Sequence, residues 1–249
     1  MTASGFVAGT LVHTDKGLVP IEQLKVGDMV LSKHESGQGE QAYKRVIKTF
    51  KSAEKLPIVR VSFRWEKDDA DKGGYMHIFC TYNHPFWVAF DGWKLASDLE
   101  DYEALLDINE KMLLLEDIAC PLRETKIPEL AVCASSTEWE QHDGFSMLID
   151  FSRGKPVLIG GGNIEFQGLS SGRHWHPDEE IHYLPTIDKN PDVDFYFNQA
   201  MGDDWRRVDD ERLHNAYRAY VYNIEVKDFH TYFISKAGIL THDSANIAP

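Results

Sequence analysis

Val221-Tyr-Asn-Ile-Glu-Val226-Lys-Asp-Phe-His230-Thr-Tyr-Phe, followed by Gly238-Ile-Leu-Thr-His242-Asp243-Ser244, is the most informative stretch of this chain. Both runs are short, apolar and rich in β-branched or aromatic residues, and turn residues separate them. That pattern predicts strands rather than a helix. His230 and His242 stand a dozen residues apart, one on each side of the small apolar Gly-Ile-Leu run. Taken alone, His230 reads as a strand residue facing solvent.

Working outward, the first hundred residues read the same way. Phe6 to His13 is apolar and β-branched and ends at the turn Thr14-Asp-Lys-Gly17. Met29–Ser32 follows the turn Val26-Gly-Asp28, and the loop Glu35-Ser-Gly-Gln-Gly39 separates it from Tyr43–Phe50. Ile58–Phe63 alternates with period two, and Asp68–Gly74 is a polar hairpin loop leading into Tyr75–Thr81. Pro20–Leu24 offers one helical turn at most. Ala104–Ile108 and Lys111–Leu115 would make a hairpin around Asn109-Glu110. Turn signals at this pace, without long helical periodicity, predict an all-β domain.

Composition sets the outer limits. At 249 residues, one domain with an elaboration is the natural expectation. A formal charge of −14 opposes nucleic-acid binding, which needs a basic face. Residues 118–215 hold 18 acidic side chains against nine basic ones, and so read as a separately solvated acidic insertion. In it, Phe145–Phe151 and Pro156–Ile159 flank the turn Ser152–Lys155, and Asp204–Tyr220 has the spacing of a helix at its start. No apolar run reaches the roughly 18 residues of a membrane span, and Met1–Gly5 lacks the basic and apolar regions of a signal peptide. Cys80, Cys120 and Cys133 form neither a metal-ligand spacing nor an even disulfide framework, so Cys80 is expected to be a small buried hydrophobe.

Three separated motifs carry chemistry: Gly5-Phe-Val-Ala-Gly-Thr10-Leu-Val-His at the head, Thr81-Tyr-Asn-His84-Pro-Phe in the middle, and the histidine pair at the tail. Together they resemble the Hint superfamily of inteins, Hedgehog autoprocessing domains and bacterial intein-like domains. The phrase Gly17-Leu-Val-Pro-Ile-Glu-Gln-Leu-Lys-Val-Gly-Asp28 is especially similar to the bacterial domains embedded in secreted polymorphic toxins and adhesins. The likeness covers about residues 5–117 and 216–243, leaving 1–4 and 244–249 as flanks and 118–215 as the insertion. It implies a horseshoe of β-hairpins with pseudo-two-fold symmetry, to which the insertion, outside the likeness, adds the short strands and one candidate helix read above. The two terminal strands would run side by side through the centre.

The resemblance also implies a reaction. A head nucleophile shifts the preceding acyl group onto its side chain, and a tail residue cyclises to break the next bond. Thr81 and His84 would hold and protonate the head amide, His230 and His242 would serve the tail, and Ser244 would be the acceptor. Two positions depart from the pattern: Gly5 stands where the nucleophile belongs, and Asp243 replaces the cyclising Asn. A carboxylate with an ordinary pKa of about 3.9 has no amide nitrogen for a succinimide and would close to an anhydride instead. The expected activity is self-cleavage or splicing at Ser4–Gly5 and Asp243–Ser244, impaired at the head. The alternative is a non-catalytic Hint scaffold acting as spacer or interaction module.

No cofactor or metal is implied. The resemblance implies that the partner is the chain's own flanking polypeptide, that the domain is a monomer, and that its parent is a secreted or surface protein of bacteria; neither nucleic acid nor a membrane span is expected. The cluster His174-Trp-His176 with His182 fits no standard zinc spacing. Gly160–Gly162 reads as a turn because no Gly-Lys-Ser/Thr follows, and Trp175 and Trp205 read as packing residues. No Gly-x-Ser-x-Gly supports a hydrolase acting on other molecules, and no LAGLIDADG-type motif supports an endonuclease.

Overall fold

The computed structural model describes residues 3–65, 74–134, 146–161 and 216–244. Within them the chain is strands, turns and single 3-10 turns at Ile21–Gln23 and Ala96–Asp98, with no α-helix. The first 3-10 turn falls within Pro20–Leu24, where the sequence allows one helical turn at most. The domain is all-β.

One large antiparallel sheet dominates. Its path runs through the strands Gly92–Leu95, Pro85–Val88, Ala104–Leu106, Met112–Pro121, Val59–Trp65, Gly74–Cys80 and Phe6–Val7. It continues through Val221–Val226, Ala42–Lys51, Met29–Ser32, Leu11–Thr14, Thr231–Ile234 and Ile239–His242, with Gly17–Pro20 beside Leu11–Thr14. Thr241 then pairs with Phe86, so the last strand returns to the start of the path. This return brings the Thr81–His84 turn and the tail histidines to one place.

The head strand is only two residues long, and both its edges are taken: Phe6 pairs with Tyr222 on one side and with Cys80 on the other. The head strand therefore lies beside Val221–Val226, the first long strand of the C-terminal segment, while the last strand, Ile239–His242, pairs with Thr231–Ile234 and Pro85–Val88. Alternation puts successive side chains on opposite faces. Phe6 enters the main core with Val12, Val61, Phe63, Phe86, Tyr232 and Ile239, while Val7 enters a second core with Ile58, Leu122, Ile149, Phe151 and Tyr217. Each such fully buried side chain contributes about 1.5–3 kcal/mol by leaving water. The head strand is clamped between two cores.

The second core is roofed by a four-stranded sheet of Arg123–Glu124, Leu130–Ala134, Ser146–Asp150 and Val157–Gly161. Strand Met112–Pro121 runs unbroken through residues 117 and 118, so the acidic segment begins inside a strand of the large sheet. Gly160 and Gly161 do not form a turn. They pair with Leu148 and Met147 beyond a register shift, a place where glycine relieves the local irregularity of a bulge. Cys80 is fully buried in the main core, as expected. Ala216 bridges to Arg123, and Arg218–Ala219 is a short strand. The start of the helix expected in 204–220, the His174–His182 cluster, Trp175 and Trp205 lie outside the described residues.

Candidate functional site

At the head, Gly5 is held from both sides. Its N–H donates to Thr81 Oγ1 at 3.2 Å, and its carbonyl accepts the Thr81 N–H at 3.0 Å. Thr81 thus grips the residue after the Ser4–Gly5 bond through backbone and side chain together. A Cβ on Gly5 would stand 2.4 Å from the Tyr222 carbonyl oxygen and 3.0 Å from its carbon. The obstacle is backbone in a paired strand, so no side-chain rotation relieves it. Gly5→Cys is expected to destabilise the fold by about 1–3 kcal/mol, the usual cost of forcing volume into a packed site. Chemical denaturation of the two proteins checks this; equal stability would mean that the head pocket has room for a nucleophile.

His84 is completely buried, with its ring centroid 4.0 Å from that of Phe6. Its tautomer follows from its partner. The Thr241 hydroxyl donates to the Pro85 carbonyl at 2.7 Å, so its oxygen must accept from His84 Nε2–H, also at 2.7 Å. His84 Nδ1 then carries a lone pair and has no hydrogen-bond partner among the described residues. Burial pushes the pKa of His84 down to about 3, with the neighbouring His242 acting in the same direction. Near neutral pH, His84 is a buried neutral base. As an acid it could act only through an imidazolium that the core disfavours.

The tail site lies in the Thr231–Ile234 and Ile239–His242 hairpin. His230 adopts φ +56° in the turn before the first strand, and its carbonyl accepts the Asp243 N–H at 2.8 Å. That left-handed conformation is uncommon for a non-glycine residue and turns the ring toward the tail. The Asp243 side chain is only 4% exposed. Its Oδ2 accepts the Val226 N–H at 2.9 Å and faces His230 Nδ1 at 3.3 Å, while Oδ1 stands 3.6 Å from His242 Nδ1. Burial raises the carboxyl above its usual value, against opposing contributions from the Val226 N–H, His242 and His230. The Ser244 N–H donates to His242 Nδ1 at 3.0 Å.

Asn223 joins the two ends. Its Nδ2 donates to the Ser4 carbonyl at 3.2 Å and to the Asp243 carbonyl at 3.1 Å, the carbonyls of both candidate scissile bonds. Its Oδ1 accepts the Ile224 N–H at 2.8 Å and the Tyr232 hydroxyl at 2.7 Å. The Ile224 amide can only donate, so the orientation of the Asn223 amide is fixed by its partners. All its hydrogen-bonding capacity is used, and the side chain has one available pose.

The family model for the pretoxin Hint domain matches residues 11–141, more than half of the chain. The chain belongs to the pretoxin Hint domain family. Among solved structures, the Hint fold here is similar to a bacterial intein-like domain from Clostridium thermocellum (20% identity, 97% of this chain and 99% of that one, TM-score 0.48). It is also similar to the gp41-1 intein (15% identity, 97% and 99%, TM-score 0.45) and to a DnaB intein from Synechocystis sp. PCC 6803 (12% identity, 97% and 99%, TM-score 0.44). No curated protein sequence shows a significant match to the chain.

In this Hint domain, Gly5, Thr81 and His84 gather at the head, while His230, His242, Asp243 and Ser244 gather at the tail. Asn223 is within hydrogen-bond reach of both. Asn223, Tyr232 and Thr241 are absent from the sequence-based site. A signal for Asn223 existed: it is a polar residue two positions after Val221 on an alternating strand, hence on an inward face, and it is 5% exposed. Thr241 and Tyr232 carried no comparable signal, because their roles depend on partners far along the chain.

Proposed function

We propose that this Hint domain processes its own chain at the tail, cutting the Asp243–Ser244 bond, while Ser4–Gly5 stays whole. The observation that carries this reading is that the Asp243–Ser244 peptide is gripped at both ends. Asn223 donates to its carbonyl oxygen at 3.1 Å, and His242 Nδ1 contacts its nitrogen at 3.0 Å.

With Oδ2 anchored by Val226, Asp243 Oδ1 attacks the residue's own carbonyl carbon. A C–O bond forms, and the negative charge moves to the carbonyl oxygen, where the Asn223 N–H stabilises it. As the carbon becomes tetrahedral, the Ser244 nitrogen gains a basic lone pair. The His242 imidazolium gives it the Nδ1 proton, and the C–N bond breaks. The products are a cyclic anhydride at Asp243 and a free amine on Ser244; water then opens the anhydride to a carboxyl-terminated Asp243. Gly5 has no side chain to start the corresponding step at the head. The substrate is the chain's own flanking polypeptide.

The test is a fusion carrying a reporter protein after Pro249, incubated with and without hydroxylamine. The reading expects a released reporter beginning at Ser244 and, with hydroxylamine, hydroxamates at both the α and β carboxyls of Asp243, because an anhydride opens from either side. Release at another bond, or an α-hydroxamate alone, counts against it.

The pH dependence follows from the raised pKa of Asp243. The attacking species is the carboxylate, so the rate is lost as pH falls through a midpoint above the ordinary 3.8. Stability runs the opposite way. A carboxyl raised by folding stabilises the fold fully below its unfolded pKa, and that contribution is lost as pH rises through the folded value. Initial rates of release from about pH 3 to 7 check the first part; a midpoint at or below 3.8 contradicts it.

A non-catalytic scaffold is the competing reading. It is favoured by the closed space at Gly5 and by the anchoring of Asp243 Oδ2 to Val226 and His230.

A further inference from the structure

The loop between the Met29–Ser32 and Ala42–Lys51 strands reaches over the tail site. It turns tightly, with the Gly37 N–H donating to the His34 carbonyl at 2.8 Å. Gly37 has φ +70°, and a Cβ there would stand 2.1 Å from the Trp87 ring. The loop therefore lies flat against Trp87, which only glycine permits. Trp87 meets Trp93 edge to face at 5.1 Å, and Trp93 meets His242 the same way at 5.1 Å. The Trp93 indole N–H donates to the Glu35 carbonyl at 2.7 Å, which fixes the backbone of the residue whose side chain turns inward. Glu35 Oε2 then lies 3.4 Å from His242 Nε2, the ring nitrogen opposite the one that contacts Ser244.

We infer that Glu35 is a positioning residue for the tail reaction, holding His242 with its Nε2 protonated so that Nδ1 is directed at the Ser244 nitrogen. This rests on the proposed tail cleavage and supplies what that step needs. A carboxylate accepts hydrogen bonds and cannot donate them, so His242 Nε2 must carry the proton and Nδ1 the lone pair that takes the Ser244 N–H. In the imidazolium both nitrogens are protonated, and Glu35 faces the positive charge. When Nδ1 gives its proton to the departing nitrogen, His242 returns to the Nε2–H form that Glu35 already binds. The ring need not flip between states, and the aromatic wall of Trp93 leaves little room for it to do so.

Glu35 is half exposed, so removing it leaves no unpaired buried charge. The test uses the full chain with its reporter fusion and two variants. In Glu35→Ala the acceptor is gone; in Glu35→Gln the amide oxygen still accepts from Nε2 while the charge is lost. The His242 side-chain nitrogens are read by 15N NMR at a pH where their shifts show the neutral ring, and tail release is timed separately at the pH of fastest release in the parent. The expected result is a protonated Nε2 in the parent and in Glu35→Gln, and a detectable fraction of the Nδ1–H form in Glu35→Ala, where the Ser244 N–H still favours Nε2–H but Glu35 no longer does. Release should slow roughly tenfold in Glu35→Ala, a smaller loss than removal of the general acid itself, and by an intermediate factor in Glu35→Gln. Slower release with an unchanged tautomer in Glu35→Ala overturns the inference, because loop packing alone would produce it. An unchanged tautomer with an unchanged rate overturns it too. If the parent never cleaves, the tail reading fails, and the tautomer shift alone still decides whether Glu35 positions His242.

Discussion

Release of the segment after Asp243 should slow by about 10²- to 10⁴-fold when His242 is replaced by alanine, the usual contribution of a positioned general acid. His242 contacts the Ser244 nitrogen through Nδ1 at 3.0 Å. An amide nitrogen is a poor leaving group until it is protonated. His230 faces the carboxylate instead, at 3.3 Å from Oδ2. His230→Ala should therefore cost less, through loss of the contact that holds Oδ2. Release timed by electrophoresis for the two variants gives the order, and an equal or larger loss from His230→Ala would reverse the assigned roles.

Asn223→Ala is the second large effect. It removes the donor that faces the Asp243 carbonyl at 3.1 Å, the group on which negative charge develops. Loss of one such oxyanion donor costs about 10²- to 10³-fold. The same change strips the acceptor from the Tyr232 hydroxyl, which is buried in the core. An unsatisfied buried hydroxyl costs about 1–3 kcal/mol, so stability should fall as well. Tyr232→Phe separates the two effects: it frees Asn223 to shift without removing its N–H groups. Release should then be slowed much less than in Asn223→Ala, with both measured under conditions where circular dichroism shows the variants folded. Equal losses would mean that Asn223 acts through the fold rather than on the bond.

Much of this was legible in the sequence. Period-two runs such as Ile58–Phe63, and turns such as Asn109-Glu110, report local backbone preference, and local preference is what strands and hairpins express. The Asn109–Glu110 turn is held by Asp107 Oδ1, which accepts the N–H groups of Asn109 and Lys111 at 2.7 and 2.8 Å. The tail histidines were legible through the resemblance to the Hint superfamily, which implies a role for both positions. What escaped depends on register between distant strands. Asn223 matters because Tyr222 pairs with Phe6, which sets it beside Ser4 across more than two hundred residues. The tautomer of His84 depends on Thr241, 157 positions away, whose proton is committed to Pro85. The closed space at Gly5 is likewise invisible in a single strand, since the obstructing atom belongs to Tyr222. The reversal of Gly160 and Gly161 from turn to paired strand has the same origin, for glycine carries little local preference and Leu148 and Met147 decide its state.

The central claim is that the tail bond breaks and the head bond does not. The most direct measurement is the intact mass, over time, of a fusion with different reporter proteins before Met1 and after Pro249. The account predicts two species accumulating together, one ending at Asp243 with the head reporter still attached and one beginning at Ser244. A fusion that keeps its full mass throughout, or a fragment beginning at Gly5, would contradict it.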